Sequence, residues 1–439
     1  MENFVRIVLA DKYDLVVGDT FQMFYRSVIE APNPYCYSIV AQCAKGKNYP
    51  RYFEFTPEDA GTYLLKISVY DATHTMLGTA ETILNVVKPI QTDKTANILC
   101  IGASDAANGF WVSEVHRRVT KTDGEPVGIG CPNINFVGNC RRTEPGRNEV
   151  GFEAFGGWTW HRFTTEAVGA MWVKVDNRRT QEDQHSLWKD ENGAIWQLET
   201  LQSDYLKFNR FQDHDSPRPE SGFLTHYADA VDTSPIPIAQ SSTEKASPFL
   251  DLETRKIDFK SYMKRSNIDT IDAVYINLGM NGLVRPQALN NTMAEYFKFV
   301  VSEAKVLVDA MHRDMPNTKI KVLSPYLPSI TGGCAASYGA RMPYSNVFGL
   351  IHAEMELKIA YQAWANEPAY KDFLEFVDTG AQFDAENNYP VVQKPVNTRS
   401  EVTETVATNG LHPTRYGYLQ YGDAIYRNVV KEFCSEEAK

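Results

Sequence analysis

The sequence predicts an α/β protein: a three-layer α/β/α domain on a parallel sheet, preceded by a small all-β sandwich domain. Three observations predict it. Apolar runs of strand length, at residues 97–102, 273–279, 319–325 and 373–378, alternate with long helical stretches, as buried parallel strands and their crossovers require. Short alternating runs separated by turn clusters fill residues 1–90, at the spacing of a sandwich. The chain has 439 residues, 43% apolar and 23% charged, enough for two or three globular domains at ~150 residues each.

In the first 90 residues, strand-like runs occur at 4–9, 20–25, 52–55, 62–70 and 82–87. Val17-Gly18-Asp19 and Pro57-Glu58-Asp59-Ala60-Gly61 supply turns between them. Asp59-x-Gly61-x-Tyr63 is similar to the corner before a late strand of immunoglobulin-like domains. The region holds no catalytic cluster, which leaves two roles open: a packing or spacer domain, or a glycan- or partner-binding one. Residues 89–95 are polar and begin with proline, so they read as a linker.

From residue 96 to 439 the pattern becomes α/β. The strand at 97–102 ends in glycine, and helical stretches follow at 109–119, 291–315, 347–365 and 416–433. Residues 176–260, rich in Asp, Gln, Ser and Pro with little periodicity, read as a large insertion over one end of the sheet.

The charge of -11, from 44 basic and 55 acidic residues, argues against nucleic-acid or anionic-membrane partners, which reward clustered Lys and Arg. No apolar run reaches the ~20 residues of a membrane span, and the opening residues lack a signal peptide's long apolar stretch. The expected location is cytoplasmic, or secreted if a leader is missing. The seven cysteines are scattered, with no Cys-x-x-Cys pair; Cys131 and Cys140 flank a loop and could bridge, but reduced thiols are expected. Glycine-rich nucleotide loops and metal-ligand spacings are lacking, so no cofactor and no metal are expected. His214 and His226, with Asp213 and Asp215, are the nearest approach to a cation cluster.

In such a sheet, chemistry gathers at the carboxyl ends of strands, and four segments there carry suitable groups. Gly102-Ala103-Ser104-Asp105 exposes a serine hydroxyl between a buried strand and a helix. Glu153-Ala154-Phe155-Gly156-Gly157-Trp158-Thr159-Trp160 has paired glycines that let backbone approach a bound group. Its Trp158 and Trp160 are either core aromatics or sugar-stacking walls. Leu278-Gly279-Met280-Asn281-Gly282 puts an amide at a strand end, and Asn409-Gly410-Leu411-His412-Pro413-Thr414 holds a histidine in a turn before the last helix.

At these residues the chain resembles the SGNH, or GDSL-type, hydrolase superfamily, whose Ser, Gly, Gly-x-Asn and x-x-His-Pro blocks occur in this order. The resemblance covers roughly residues 96–434, with the 176–260 insertion outside its motifs. It implies a flavodoxin-like fold and carboxylic-ester hydrolysis without a cofactor. Ser104 would be the nucleophile and His412 the base that later protonates the leaving alcohol. The oxyanion would rest on the backbone N–H groups of Ser104 and Gly157 and on the Asn281 amide. The substrate implied is a small acyl group, acetyl foremost, on a carbohydrate or related small ester.

The chain departs from the family at three positions. The usual Gly-Asp-Ser-Leu reads Gly102-Ala103-Ser104-Asp105, and the usual Gly-x-Asn-Asp ends in Gly282. The triad acid belongs three residues before the histidine, where this chain has Asn409. An amide can orient an imidazole but cannot stabilise the imidazolium, and the corresponding Asp→Asn change in a triad hydrolase lowers turnover about 10⁴-fold. Two expectations follow. Either a Ser104–His412 dyad works with another acceptor, with Asp105, Asp378 and Asp384 as candidates, or the protein is attenuated and uses its cleft to bind a glycan or protein partner.

Overall fold

The computed structural model describes the chain except for residues 1–4, 143–149, 165–169, 175–186, 190–194, 203–204, 211–220, 227–235, 239–246, 252–253, 255, 282–292, 331–346 and 439. Between 165 and 246 it describes backbone strands alone.

The N-terminal region holds β1 (Lys12–Val16), β2 (Phe21–Phe24), β3 (Ser38–Gln42), β4 (Tyr52–Phe55), β5 (Gly61–Tyr70) and β6 (Met76–Val87). One sheet runs β1-β6-β5-β3, and a second pairs β2 with β4 and β4 with Lys47–Asn48. Strand alternation sends Phe21, Met23, Phe53 and Phe55 of the second sheet, and Leu65, Ile67, Leu84 and Val86 of the first, into one buried cluster. The sequence pattern passed over β1 because Asp14 interrupts it. That carboxylate is not solvated: it accepts from Asn85 (3.2 Å) and from Asn428 of the following domain (2.8 Å).

The second sheet system contains β7 (Ala96–Gly102), β8 (Ile134–Val137), the two-residue β9 (Glu153–Ala154), β10 (Ala273–Asn277), β11 (Lys319–Leu323) and β12 (Leu374–Val377). Every pairing is parallel, and the order is β8-β7-β10-β11-β12. Leaving β9 aside, this is the flavodoxin-like order in which the first strand lies between the second and third. Every residue of β10 is buried, so both faces of the sheet are covered.

The covering helices are α1 (Ser104–Ala107), α2 (Phe110–Thr120), α3 (Trp160–Thr164), α4 (Phe259–Arg265), α5 (Met293–Asp314), α6 (Val347–Ala365) and α7 (Arg415–Phe433). α2 packs on α7, while α5 packs on α3, α4 and α6, which gives the three-layer α/β/α arrangement that the sequence predicts. No helix among the described residues is long and apolar enough to cross a membrane.

The stretch read from sequence as irregular insertion, 176–260, contains strands Leu187–Lys189, Ile195–Gln202, Tyr205–Arg210, Ser221–His226 and Ile236–Ile238, which form one antiparallel sheet with Ala170–Lys174 just before it. Tyr205-Leu206-Lys207-Phe208-Asn209-Arg210 does alternate, but polar segments on either side dilute the signal.

The expected linker is fastened at its start. Ile90 N–H donates to the carbonyl of Cys434 (2.8 Å), and Pro89 bridges to Ser435. Around it, the N-terminal sheets and the α/β domain share a polar seam. Asp19 accepts from the buried Arg118 and Arg427, whose guanidiniums outweigh its burial and hold its carboxyl below the usual range. The hydroxyl of Tyr13 donates to Asp378 (2.8 Å). Lys358 donates to the Ser27 carbonyl (2.9 Å) and lies 3.1 Å from Asp378. Arg51 reaches Asp384 (2.7 Å) and Glu386 (2.5 Å). Among the described cysteines, Cys131 and Cys140 included, no disulfide forms.

Candidate active site

Gly102 sets the position of the serine. A Cβ there would lie 2.5 Å from Ala106 Cβ, so glycine lets the chain turn from β7 straight into α1. Ser104 opens that helix and is half-buried. Behind it Asn277, in register with Gly102 at the end of β10, donates its amide to Asp105 Oδ2 (2.8 Å), while the Ala106 N–H meets Oδ1 (3.1 Å). Burial pushes the Asp105 carboxyl up to about 6.

His412 arrives from the far end of the domain. Its turn is held by Asn409, whose Oδ1 accepts from the backbone N–H groups of Leu411 and His412, both at 3.0 Å. α7 then starts behind Thr414, whose hydroxyl accepts from Gly417 N–H. This brings His412 Nε2 to 2.8 Å from Ser104 Oγ.

The other ring nitrogen meets an amide. Asn409 Nδ2 lies 3.2 Å from His412 Nδ1. The two backbone donors fix which end of the amide is oxygen, so the amino end faces the imidazole. A donor at Nδ1 favours a lone pair there and the proton on Nε2, where it points at the serine oxygen. Burial lowers the His412 pKa from its ordinary 6.5, keeping the ring neutral at pH 7.

Asn281 is buried, and its amide donates to the carbonyl of Trp158 (2.9 Å). An amide carries two hydrogens, so one remains for another acceptor. Gly157 precedes that carbonyl in a turn closed by Trp158 N–H on the Phe155 carbonyl (3.1 Å). Its φ of +79° explains the glycine. The turn is docked against the serine block, because β9 pairs with Ile101 and Gly102 and Phe155 N–H donates to the Gly102 carbonyl (3.1 Å). Ser104, Asn277, Asn281, Tyr326 and His412 line a small pocket of about 10 Å³, room for roughly one water.

Two sequence-based expectations are corrected. Trp158 and Trp160 are 1% and 2% exposed, so neither offers a face to a sugar. Trp158 packs on Phe155 and Phe163, with ring centres 4.3 and 4.8 Å apart. Trp160 donates its indole N–H to Tyr361 OH (2.6 Å), which donates to the Leu278 carbonyl (3.0 Å) beside the Asn281 turn. That hydroxyl is also why residue 279 is glycine: a Cβ there would lie 2.6 Å from it.

None of the three candidate acids takes the place of the triad acid. Asp105 bonds Asn277, Asp378 bonds Tyr13 and Ser324, and Asp384 bonds Arg51 and Asn387. Gly282, His214, Asp213 and Asp215 lie outside the described residues.

Sequence reasoning missed two contributors. Asn277 was visible as the lone polar residue ending an apolar strand. Glu153, fully buried, accepts from Asn139 and Tyr262 (2.9 Å each) beneath the glycine turn. Burial pushes its carboxyl up to about 7.

No protein-family model and no curated protein matches the chain. Among solved structures it is similar to a family 3 carbohydrate esterase of Clostridium thermocellum, at 14% identity over 78% of this chain and 100% of that one, with a TM-score of 0.36. It is also similar to a carbohydrate acetylesterase family member from Sinorhizobium meliloti, at 13% identity over 77% and 98%, TM-score 0.34. A third is the aryl esterase of M. smegmatis, at 14% identity over 76% and 98%, TM-score 0.32.

Proposed function

We propose that the chain is a serine ester hydrolase that removes small acyl groups, acetyl foremost, from a carbohydrate or related small ester. The observation that carries this reading is the 2.8 Å approach of Ser104 Oγ and His412 Nε2 across 308 positions of sequence. Ser104 Oγ attacks the ester carbonyl while His412 takes its proton. The oxyanion rests on the N–H groups of Ser104 and Gly157 and on the free hydrogen of Asn281. Collapse expels the alcohol, protonated by His412, and a water repeats the sequence on the acyl-serine. Each oxyanion donor contributes about 3–4 kcal/mol to such a transition state.

The test is hydrolysis of p-nitrophenyl acetate at neutral pH. The wild-type chain should turn it over and Ser104→Ala should fall to background; equal rates would defeat the assignment.

One observation favours a second reading. To act as base, His412 must carry its proton on Nδ1, where the Asn409 amino group stands 3.2 Å away. If that opposition dominates, the protein is a catalytically attenuated relative that binds a glycan or protein partner. The wild-type rate would then be near background.

A further inference from the structure

Apart from the pocket at Ser104, the N-terminal region has a cavity of its own, about 500 Å³ in volume, lined by Tyr35, Tyr37, Ile39, Asn48, Tyr49 and Arg51. That volume lies within the roughly 300–1,000 Å³ of small-molecule sites. The three tyrosines are half-buried, so each offers part of a ring to solvent. Tyr49 is backed by an aromatic row: its ring centre lies 5.0 Å from Tyr52, which lies 5.4 Å from Phe24. The floor is therefore fixed rather than loose.

The lining dictates the ligand's chemistry. Tyrosine rings offer an apolar face and a polar edge, which complements a ring with C–H faces and a hydroxyl rim. The guanidinium of Arg51 is already held by Asp384 and Glu386, and the two carboxylates would repel an anion. The complementary ligand is neutral and polyhydroxylated.

The cavity's position ties it to the site at Ser104. Asp384 and Glu386, which grip Arg51, follow β12 at its carboxyl end, the end where Ser104 and His412 meet. Two residues on, Asn388 accepts the Thr414 N–H on its carbonyl (2.7 Å), and Thr414 follows His412 by two positions. One short segment thus braces both the cavity wall and the histidine turn.

We propose that the cavity lined by Tyr35, Tyr37 and Tyr49 is a subsite for a neutral saccharide, the glycan part of the ester substrate. Its role as a substrate subsite rests on the ester-hydrolase reading; its capacity to bind sugar does not.

The experiment titrates the full chain carrying Ser104→Ala with xylohexaose, cellohexaose and chitohexaose by calorimetry, so that binding is read without turnover. At least one hexasaccharide should bind, and Tyr37→Ala and Tyr49→Ala should each weaken it about tenfold, the equivalent of ~1.4 kcal/mol. Tyr37→Phe, which keeps the ring, should retain the affinity, and melting curves identify any variant that fails to fold. The proposal is overturned if no hexasaccharide binds at millimolar concentration, if both alanine variants bind as tightly as their parent, or if a proline-rich peptide occupies the cavity instead. p-Nitrophenyl acetate separates the two readings. Saccharide binding without ester turnover removes the hydrolase and keeps the sugar site, whereas turnover without saccharide binding does the reverse.

Discussion

The polar groups at the seam between the N-terminal sheets and the α/β domain, and those around Ser104, are satisfied in opposite ways. At the seam Asp19 meets two buried arginines, and Asp378 meets Tyr13, Ser324 and Lys358. At the strand ends, burial lowers the His412 pKa and raises that of Asp105 to about 6. Charges paired with opposite charges hold shape, whereas groups that burial moves toward neutrality are the ones expected at a working site. Glu354 and Asp423 blur the boundary: they lie 3.5 Å from Lys358 and 2.7 Å from Arg118 at the seam, yet burial pushes their carboxyls up to about 8 and about 6.

Four changes would break or sharpen this contrast. The largest effect belongs to Asn409→Asp. A carboxylate at Nδ1 would hold the proton there, free Nε2 to act as base and stabilise the imidazolium, raising kcat by up to about 10⁴-fold. The same charge should raise the His412 pKa, so the acidic limb of the rate profile moves to higher pH. An unchanged and already high rate would mean that another acceptor serves the imidazole.

Asp19→Ala comes next. It leaves two buried guanidiniums without their shared partner and should cost about 3–5 kcal/mol in urea denaturation. A loss well under 1 kcal/mol would place the seam among weak surface pairs. Tyr13→Phe removes one donor from buried Asp378, and should cost about 1–3 kcal/mol in the same measurement.

The smallest effect is the pH dependence of melting. Asp105 and Asp423 are raised to about 6, Glu153 to about 7 and Glu354 to about 8, each by burial. An acid with a raised folded pKa binds its proton more tightly folded than unfolded, so stability falls as pH climbs from the unfolded value to the folded one. Glu432, lowered to about 2 as Lys321 and Lys431 outweigh its burial, works the other way, and its contribution is lost only in acid below its unfolded pKa. The midpoint should therefore drop by a few degrees between weakly acidic and weakly alkaline buffer. A flat calorimetric profile over that interval would contradict the upward shifts of these four carboxyls.

Much of this was legible in the sequence because backbone requirements leave a residue signature. Gly102 and Gly279 stand where a Cβ would collide, and a serine and a histidine stand beside element ends that apolar periodicity locates. The tryptophans stayed open between core and sugar wall because an aromatic beside glycines reads alike in a core and in a cleft. The bonding of Asn409 depends on which end of an amide its neighbours claim. The seam depends on pairs such as Asp19 with Arg427, 408 positions apart, which no local pattern reports.

That distance along the chain has a consequence at the reactive pair as well. Ser104 and His412 are separated by 308 positions, and β8 to β12 all lie between them. Loop-closure entropy makes such a contact slow to form. Helical signal should therefore recover first during refolding, with ester turnover the last property to return. On the proposed hydrolase reading, turnover would then act as a completeness gauge: a chain with any of the intervening strands unplaced would stay silent, however much secondary structure it had regained.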